Sequence, residues 1–230
     1  MKTRIAAITA AAVLAGGIST AALTAATPAR AATPSCGPSC VEPFSHEWGR
    51  HEVLDVKGGG PGRLHQEIIL FRASRDDGAE DFTYSFQGQV KDLVGDGLLA
   101  PATLVHYAAD QAFELEYSPF GFDSGFCVGT WPVTAQVPFG FRLRLFPCGV
   151  NANTIWIVDH FGTDGNPPGF GTIISGTTLK FSHPPVWTYP AAATPFDVPR
   201  PDVIVSDLRS FSNGSHLDSQ EWGSLFGILP

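Results

Sequence analysis

The chain has one methionine, the initiator, and only 16% of its 230 residues are charged. Basic residues are the scarcer kind, 14 against 22 acidic, for a net charge of −8. That balance excludes the basic patch that a nucleic-acid or anionic-membrane surface demands. Helical periodicity is also sparse. Only Ala100–Gln111 and Leu217–Phe226 read as short helix, and no run after the first 31 residues is long and apolar enough to span a bilayer.

Catalytic constellations are missing too. Gly121-Phe122-Asp123-Ser124-Gly125 puts serine fourth, whereas a nucleophile elbow needs it third. Asp159, His160 and Asp164 lack an activated Ser or Cys to complete a triad. His46-Glu47 and His51-Glu52 place their histidines five apart with Gly49 between, where the helical zinc-protease motif needs four. The acidic pairs Asp76-Asp77 and Glu80-Asp81 do not follow the EF-hand spacing and read as a solvated loop. The sequence therefore predicts no enzyme, no metal site and no cofactor. Asn213-Gly214-Ser215 is a formal glycosylation sequon, relevant only in a eukaryotic host.

What is present begins with an export signal. Lys2 and Arg4 precede an Ala-rich apolar run from Ile5 to Ala26, and Ala29-Arg30-Ala31 is a small-x-small cleavage site. The expected organisation is a signal peptide at 1–31, an N-terminal arm at 32–41 and one domain at 42–230, secreted and without a membrane span. Removing Lys2, Arg4 and Arg30 leaves 11 basic residues against 22 acidic ones, a net charge of about −11. All four cysteines follow the signal, so pairing is the default in an oxidising compartment. Cys127–Cys148 is expected to close a loop of roughly 20 residues, worth about 3 kcal/mol in the loop-entropy model. Cys36–Cys40 is expected to close a tiny one around Gly37-Pro38; a metal reading of this spacing lacks two further ligands.

Gly (25), Pro (19) and Phe (17) are abundant, which suits short strands joined by many turns. Twelve strand-like runs are read: Glu52–Val56, Glu67–Arg72, Phe82–Val90, Thr103–Tyr107, Ala112–Tyr117, Phe126–Gly129, Phe141–Phe146, Thr154–Asp159, Thr172–Ile174, Thr178–Phe181, Val186–Tyr189 and Val203–Leu208.

The runs repeat. Cys127-Val128-Gly129, Leu143–Cys148 and Asn153–Trp156 form one unit. Val53–Val56, Ile68–Phe71 and Asp81-Phe82 give the same order earlier; Val186–Tyr189, Val203–Leu208 and Gln220–Trp222 give it later. Three hairpin units would each supply one anchor aromatic (Phe82, Trp156, Trp222) to a shared core, since none could bury its apolar face alone.

At these residues the chain resembles the ricin-type lectins, which fold as a β-trefoil. Cys127 and Cys148 fall where that family has an intra-lobe disulfide, and Gln220-Glu221-Trp222 repeats its Gln-x-Trp signature; Trp156 has Thr154 in place of the Gln. The units exceed the family's repeat of about 40 residues, so insertions are expected. The chain also resembles a group of uncharacterised secreted actinobacterial proteins with this layout, which bears on fold and not on activity. The resemblance implies an all-β, β-trefoil-like fold of ricin B type with three pseudo-repeats and insertions. It implies a carbohydrate-binding, lectin-like function toward an extracellular glycan or polysaccharide. Family lobes use an Asp after the first strand, a stacking aromatic, a Gln beside that strand, and an Asn before Gln-x-Trp. Carried over, the first unit offers Asp55 and Phe71, with Ile69 in the Gln place. The second offers Phe146 and Asn153, with Gly129 in the Asp place and Arg144 for Gln. The third has no clear Asp, and no lobe is complete. The alternative reading is therefore a degenerate trefoil scaffold that binds a protein partner, as an inhibitor or an envelope-associated structural protein.

Overall fold

In the computed structural model, residues 40–74, 77–131, 139–149, 151–159, 169–177, 184–190, 201–209 and 217–223 are described. Residues 32–230 form one compact unit. Twelve strands follow in chain order: β1 Phe44–Ser45, β2 Glu52–Val56, β3 Ile68–Arg72, β4 Phe82–Gln89, β5 Gln111–Tyr117, β6 Phe126–Gly129, β7 Arg144–Pro147, β8 Trp156–Asp159, β9 Thr172–Ser175, β10 Pro185–Thr188, β11 Ile204–Asp207 and β12 Trp222–Gly223.

Six of them close a barrel. β12 pairs β1, β4 pairs β5, β5 pairs β8, and β8 pairs β9, all antiparallel. Two single bridges complete the circuit, Val41 to Phe82 and Gly171 to Trp222. The other six strands are three hairpins, β2–β3, β6–β7 and β10–β11. Each unit of four strands thus gives its outer two to the barrel and its inner two to a cap. This is a β-trefoil, with the three repeats where the sequence places them.

The three hairpins are joined by their backbones. The Ile68 N–H donates to the Leu143 carbonyl at 3.0 Å, Leu143 N–H to Val203 at 2.8 Å, and Val203 N–H to Ile68 at 3.1 Å. Two residues further on, a second set runs the other way round: Leu70 to Pro201, Leu145 to Gln66, and Val205 to Phe141, at 2.8–3.0 Å. Each buried backbone donor thereby finds a partner in another unit.

The side chains repeat the symmetry. Leu54 faces Leu70, Val128 faces Leu145, and Trp187 faces Val205, all in one core cluster. Phe82, Trp156 and Trp222 are fully buried in the same cluster. The Trp156 indole donates to the Val128 carbonyl at 2.8 Å and the Trp222 indole to the Trp187 carbonyl at 3.2 Å. Trp187 packs edge-on against both indoles, with centroids 5.0 and 5.6 Å away. Cys127 and Cys148 are bonded and tie β6 to the residue after β7. Cys40 is also disulfide-bonded; its expected partner Cys36 lies outside the described residues.

The insertion between β4 and β5 is helical. It holds α1 Val90–Gly95, a 3-10 turn at Pro101–Thr103, and α2 Leu104–Tyr107. This corrects the strand expected at Thr103–Tyr107. Leu99, Thr103 and Tyr107 are buried at four-residue spacing while Val105 is exposed, a helical period that the β-branched residues disguise. Val90, Leu93, Leu99 and Tyr107 form a second cluster with Ile157, Ile174 and Val186 on the outside of the barrel. The helix expected at Leu217–Phe226 is a 3-10 turn, Asp218–Gln220, followed by β12; residues beyond 223 lie outside the described ones. The strand expected at Thr178–Phe181 lies outside them too.

Unit one also buries an acid. Glu80, at the end of the 3-10 turn Gly78–Glu80, is 2% exposed. One carboxylate oxygen accepts from the Ser74 N–H at 2.7 Å; the other has no hydrogen-bond partner among the described residues. Burial first, then the charges of Glu42, Asp55 and Asp77, push its pKa up to about 8.

Two stability predictions follow from these contacts. Leu143→Ala, where the three units meet, is expected to cost about 2–5 kcal/mol in urea unfolding, while Val105→Ala on the exposed insertion stays within about 0.5 kcal/mol. Glu80 binds its proton more tightly folded than unfolded. Its stabilising contribution is therefore full below the ordinary carboxylate pKa of 4.5 and is lost as pH rises toward about 8. Melting temperatures measured from pH 4 to 9 should fall less steeply in Glu80→Gln than in the wild type across that window; parallel curves would contradict the assignment.

Candidate functional site

The candidate site is an open cleft of about 430 Å³ in the first unit, lined by Asp55, Phe71, Asp77, Tyr117 and Phe120 with glycines between them. β2 and β3 set its floor. Asp55 lies opposite Ile69 and Val53 opposite Phe71, so Asp55 and Phe71 are diagonal neighbours on one face of the hairpin. Asp55 is only 3% exposed, whereas Phe71 is partly open.

One lip is the turn Gly58-Gly59-Gly60, whose three residues all have positive φ, a backbone that only glycine adopts freely. It is pinned twice: Gln66 Nε2 donates to the Gly59 carbonyl at 2.9 Å, and the Tyr117 hydroxyl to the Gly60 carbonyl at 2.8 Å. Burial raises the Tyr117 pKa, so the phenol keeps its proton and remains a donor.

The other lip is the 3-10 turn capped by Asp77, whose Oδ1 accepts from the Ala79 N–H at 3.0 Å. Phe120 lies over it. A Cβ on Gly78 would fall 2.8 Å from the Phe120 ring, so the glycine makes the flat bed on which the ring rests. Phe120 has φ +54°, held by its N–H donating to Asp81 Oδ2 at 2.9 Å. Its ring is 58% exposed and separates this cleft from an adjoining one of about 420 Å³, lined by Pro61, Pro119 and Phe122.

The second unit is arranged differently. Phe146 is 6% exposed, with its ring packed against Trp131 and His65. Asn153 donates its amide to the Thr130 carbonyl at 3.1 Å. A Cβ on Gly129 would come within 2.7 Å of the Asn153 carbonyl oxygen, so this lobe has no room for the Asp of a sugar set. Arg144 bonds Glu67 at 3.2 Å, beside the Lys57 and Arg142 ion pairs to the same carboxylate. In the third unit Gln220 is buried, donating to the Asp207 carbonyl and accepting from the Arg209 N–H, both at 2.9 Å.

The structure thus brings together Asp55 and Phe71, and separately Phe146 and Asn153. Sequence reading missed Tyr117, Phe120 and Asp77 as lining residues. Phe120 and Tyr117 come from unit two, and no local pattern links them to Asp55. Elsewhere, His46 meets Asp218 and Glu221, a grouping also hidden by chain separation. Asp159 is described, whereas His160 and Asp164 lie outside the described residues.

No protein-family model matches the chain, and no curated protein matches it. Solved structures do. The designed threefold-symmetric protein ThreeFoil aligns with 81% of this chain and 97% of its own, at 16% identity and TM-score 0.50. The exo-β-1,3-galactanase 1,3Gal43A of Clostridium thermocellum aligns with 81% of this chain and 30% of its own, at 12% identity and TM-score 0.50. A proteinase inhibitor from Coprinopsis cinerea aligns with 81% of this chain and 95% of its own, at 15% identity and TM-score 0.47. At such identities the likeness is one of fold, and the fold is the β-trefoil.

Proposed function

We propose that this protein is a secreted, non-catalytic carbohydrate-binding protein of ricin-lectin type, with its sugar site in the first unit. One observation carries the reading: Asp55 and Phe71, the carboxylate and aromatic that a sugar subsite requires, line the same open cleft. A carboxylate accepts from vicinal hydroxyls, and a ring covers the apolar C–H face. Asp77 adds a second carboxylate and Phe120 a second ring, on lips fixed by hydrogen bonds before any ligand arrives. The adjoining cleft beyond Phe120 gives room for a second residue of a chain. The ligand is an extracellular glycan or polysaccharide, bound at one unit and not three, because Gly129 leaves no space for the acid in unit two and unit three offers no clear Asp. The Cys127–Cys148 bond is compatible with an exported protein, and among the described residues no helix is long and apolar enough to cross a membrane.

A glycan array probed with folded, oxidised protein tests this. Asp55→Asn should weaken any ligand found by roughly ten- to a hundredfold, the worth of a charged hydrogen bond. Phe120→Ala, at an exposed position, should weaken it roughly two- to tenfold. Absence of binding to every glycan would sink the proposal and favour a protein partner; unchanged affinity in both variants would move the site elsewhere.

A further inference from the structure

A second cluster lies where the first and last described strands meet, apart from the cleft lined by Asp55 and Phe71. His46 follows β1 and Glu221 precedes β12, and these two strands pair. The His46 N–H donates to the Glu221 carbonyl at 2.8 Å, which fixes the two residues beside each other. Asp218 enters from the 3-10 turn just before β12. His46 Nδ1 is 2.8 Å from Glu221 Oε2 and 3.4 Å from Asp218 Oδ1. One ligand atom from each of the three lies within 4.8 Å of the other two.

The buried member is unsatisfied. Glu221 is 2% exposed, and among the described residues neither its Oε2 nor His46 Nδ1 has a hydrogen-bond partner, although the two atoms stand 2.8 Å apart as an ion pair. A buried carboxylate oxygen left in that state is costly. A cation between the two atoms would satisfy both and offset the two negative charges of the cluster.

We propose that His46, Asp218 and Glu221 bind a divalent cation, zinc in particular, which clasps β1 to β12 and secures the barrel at its closing seam. Imidazole with two carboxylates suits zinc and disfavours calcium or magnesium. Ligand atoms at 2.0–2.1 Å from a tetrahedral zinc stand roughly 3.4 Å apart, so the His46–Asp218 spacing already fits and the His46–Glu221 spacing opens by about 0.6 Å. The Phe170 ring, 4.4 Å from the imidazole, braces it. His46 and Asp218 are 34% and 62% exposed, which leaves an entry path and a coordination position for water. The ligands lie at opposite ends of the domain's sequence, so the metal binds the folded state and scarcely the unfolded one.

The test adds Zn²⁺ alone to chelator-treated, oxidised protein and reads calorimetric binding and the melting temperature. Zinc is expected to bind at one site per chain and raise the melting temperature, with Ca²⁺ and Mg²⁺ at equal concentration giving no comparable shift. Asp218→Asn at an exposed position leaves the fold intact and, like His46→Gln, should weaken zinc at least about tenfold, since even outer-shell partners are worth that much. No zinc binding, or affinity unchanged in both variants, would overturn the site. A calcium shift as large as that of zinc would overturn the choice of metal.

Discussion

The fold depends on a ring of three backbone hydrogen bonds, from Ile68 to Leu143 to Val203 and back to Ile68. Each hairpin alone is too small to be stable in water. At the ring every hairpin satisfies a donor of one neighbour and borrows an acceptor from the other, so no unit is complete without both. The ring sits over a core that admits only apolar side chains, because Leu54, Val128 and Trp187 converge beneath it. Backbone and side-chain symmetry thus enforce each other. The three units keep these positions in register while differing elsewhere.

That tolerance explains how the units diverged. Unit two carries a disulfide and lacks space for an acid at Gly129. The insertion before it builds its own small core against the outside of β8, β9 and β10. Unit one has no indole at its anchor, using Phe82, and instead gathers acids: Asp55, Asp77, Glu80 and Asp81 surround one hairpin, and burial first, then the charges of Glu42, Asp55 and Asp77, push the Glu80 pKa up. A cluster of carboxylates contributes nothing to a core and is expensive to bury. Its position beside the open cleft sets unit one apart from the other two, and a fold alone does not fix function.

The repeat was legible in the sequence because it is written in short-range terms. Cross-strand partners Leu54/Leu70, Val128/Leu145 and Trp187/Val205 each lie in apolar-x-apolar runs, and the anchors Phe82 and Trp156 follow at similar distances, with Trp222 somewhat further on. The placing of Asp55 and Phe71 beside one cleft was legible for the same reason, both residues belonging to one hairpin. The helices were legible in part: the short helix read at Ala100–Gln111 holds the 3-10 turn and α2, although Thr103–Tyr107 is rich in residues that favour strands, whereas α1 was not legible, its six residues carrying too little periodicity. Nor were Tyr117 and Phe120, which reach the cleft from unit two, or His46 and Glu221, which meet only because the barrel closes. What the sequence hides is in each case a contact between units.

Those hidden contacts share a physical logic. In a closed barrel the first and last strands must find each other across the whole chain, the most entropically costly pairing in the fold. Here that pairing is short, two residues on each side. A two-residue ladder is a weak latch, and the surroundings are built to reinforce it. Tyr189 donates to Glu47 and bonds Ser45 across the seam at 2.6 Å each. Phe44 and His46 hold Phe170 between them. Gly223 admits no side chain, because a Cβ would fall 2.6 Å from the Phe44 ring. Side chains thus supply at the seam a cohesion that two residue pairs of backbone ladder do not supply alone.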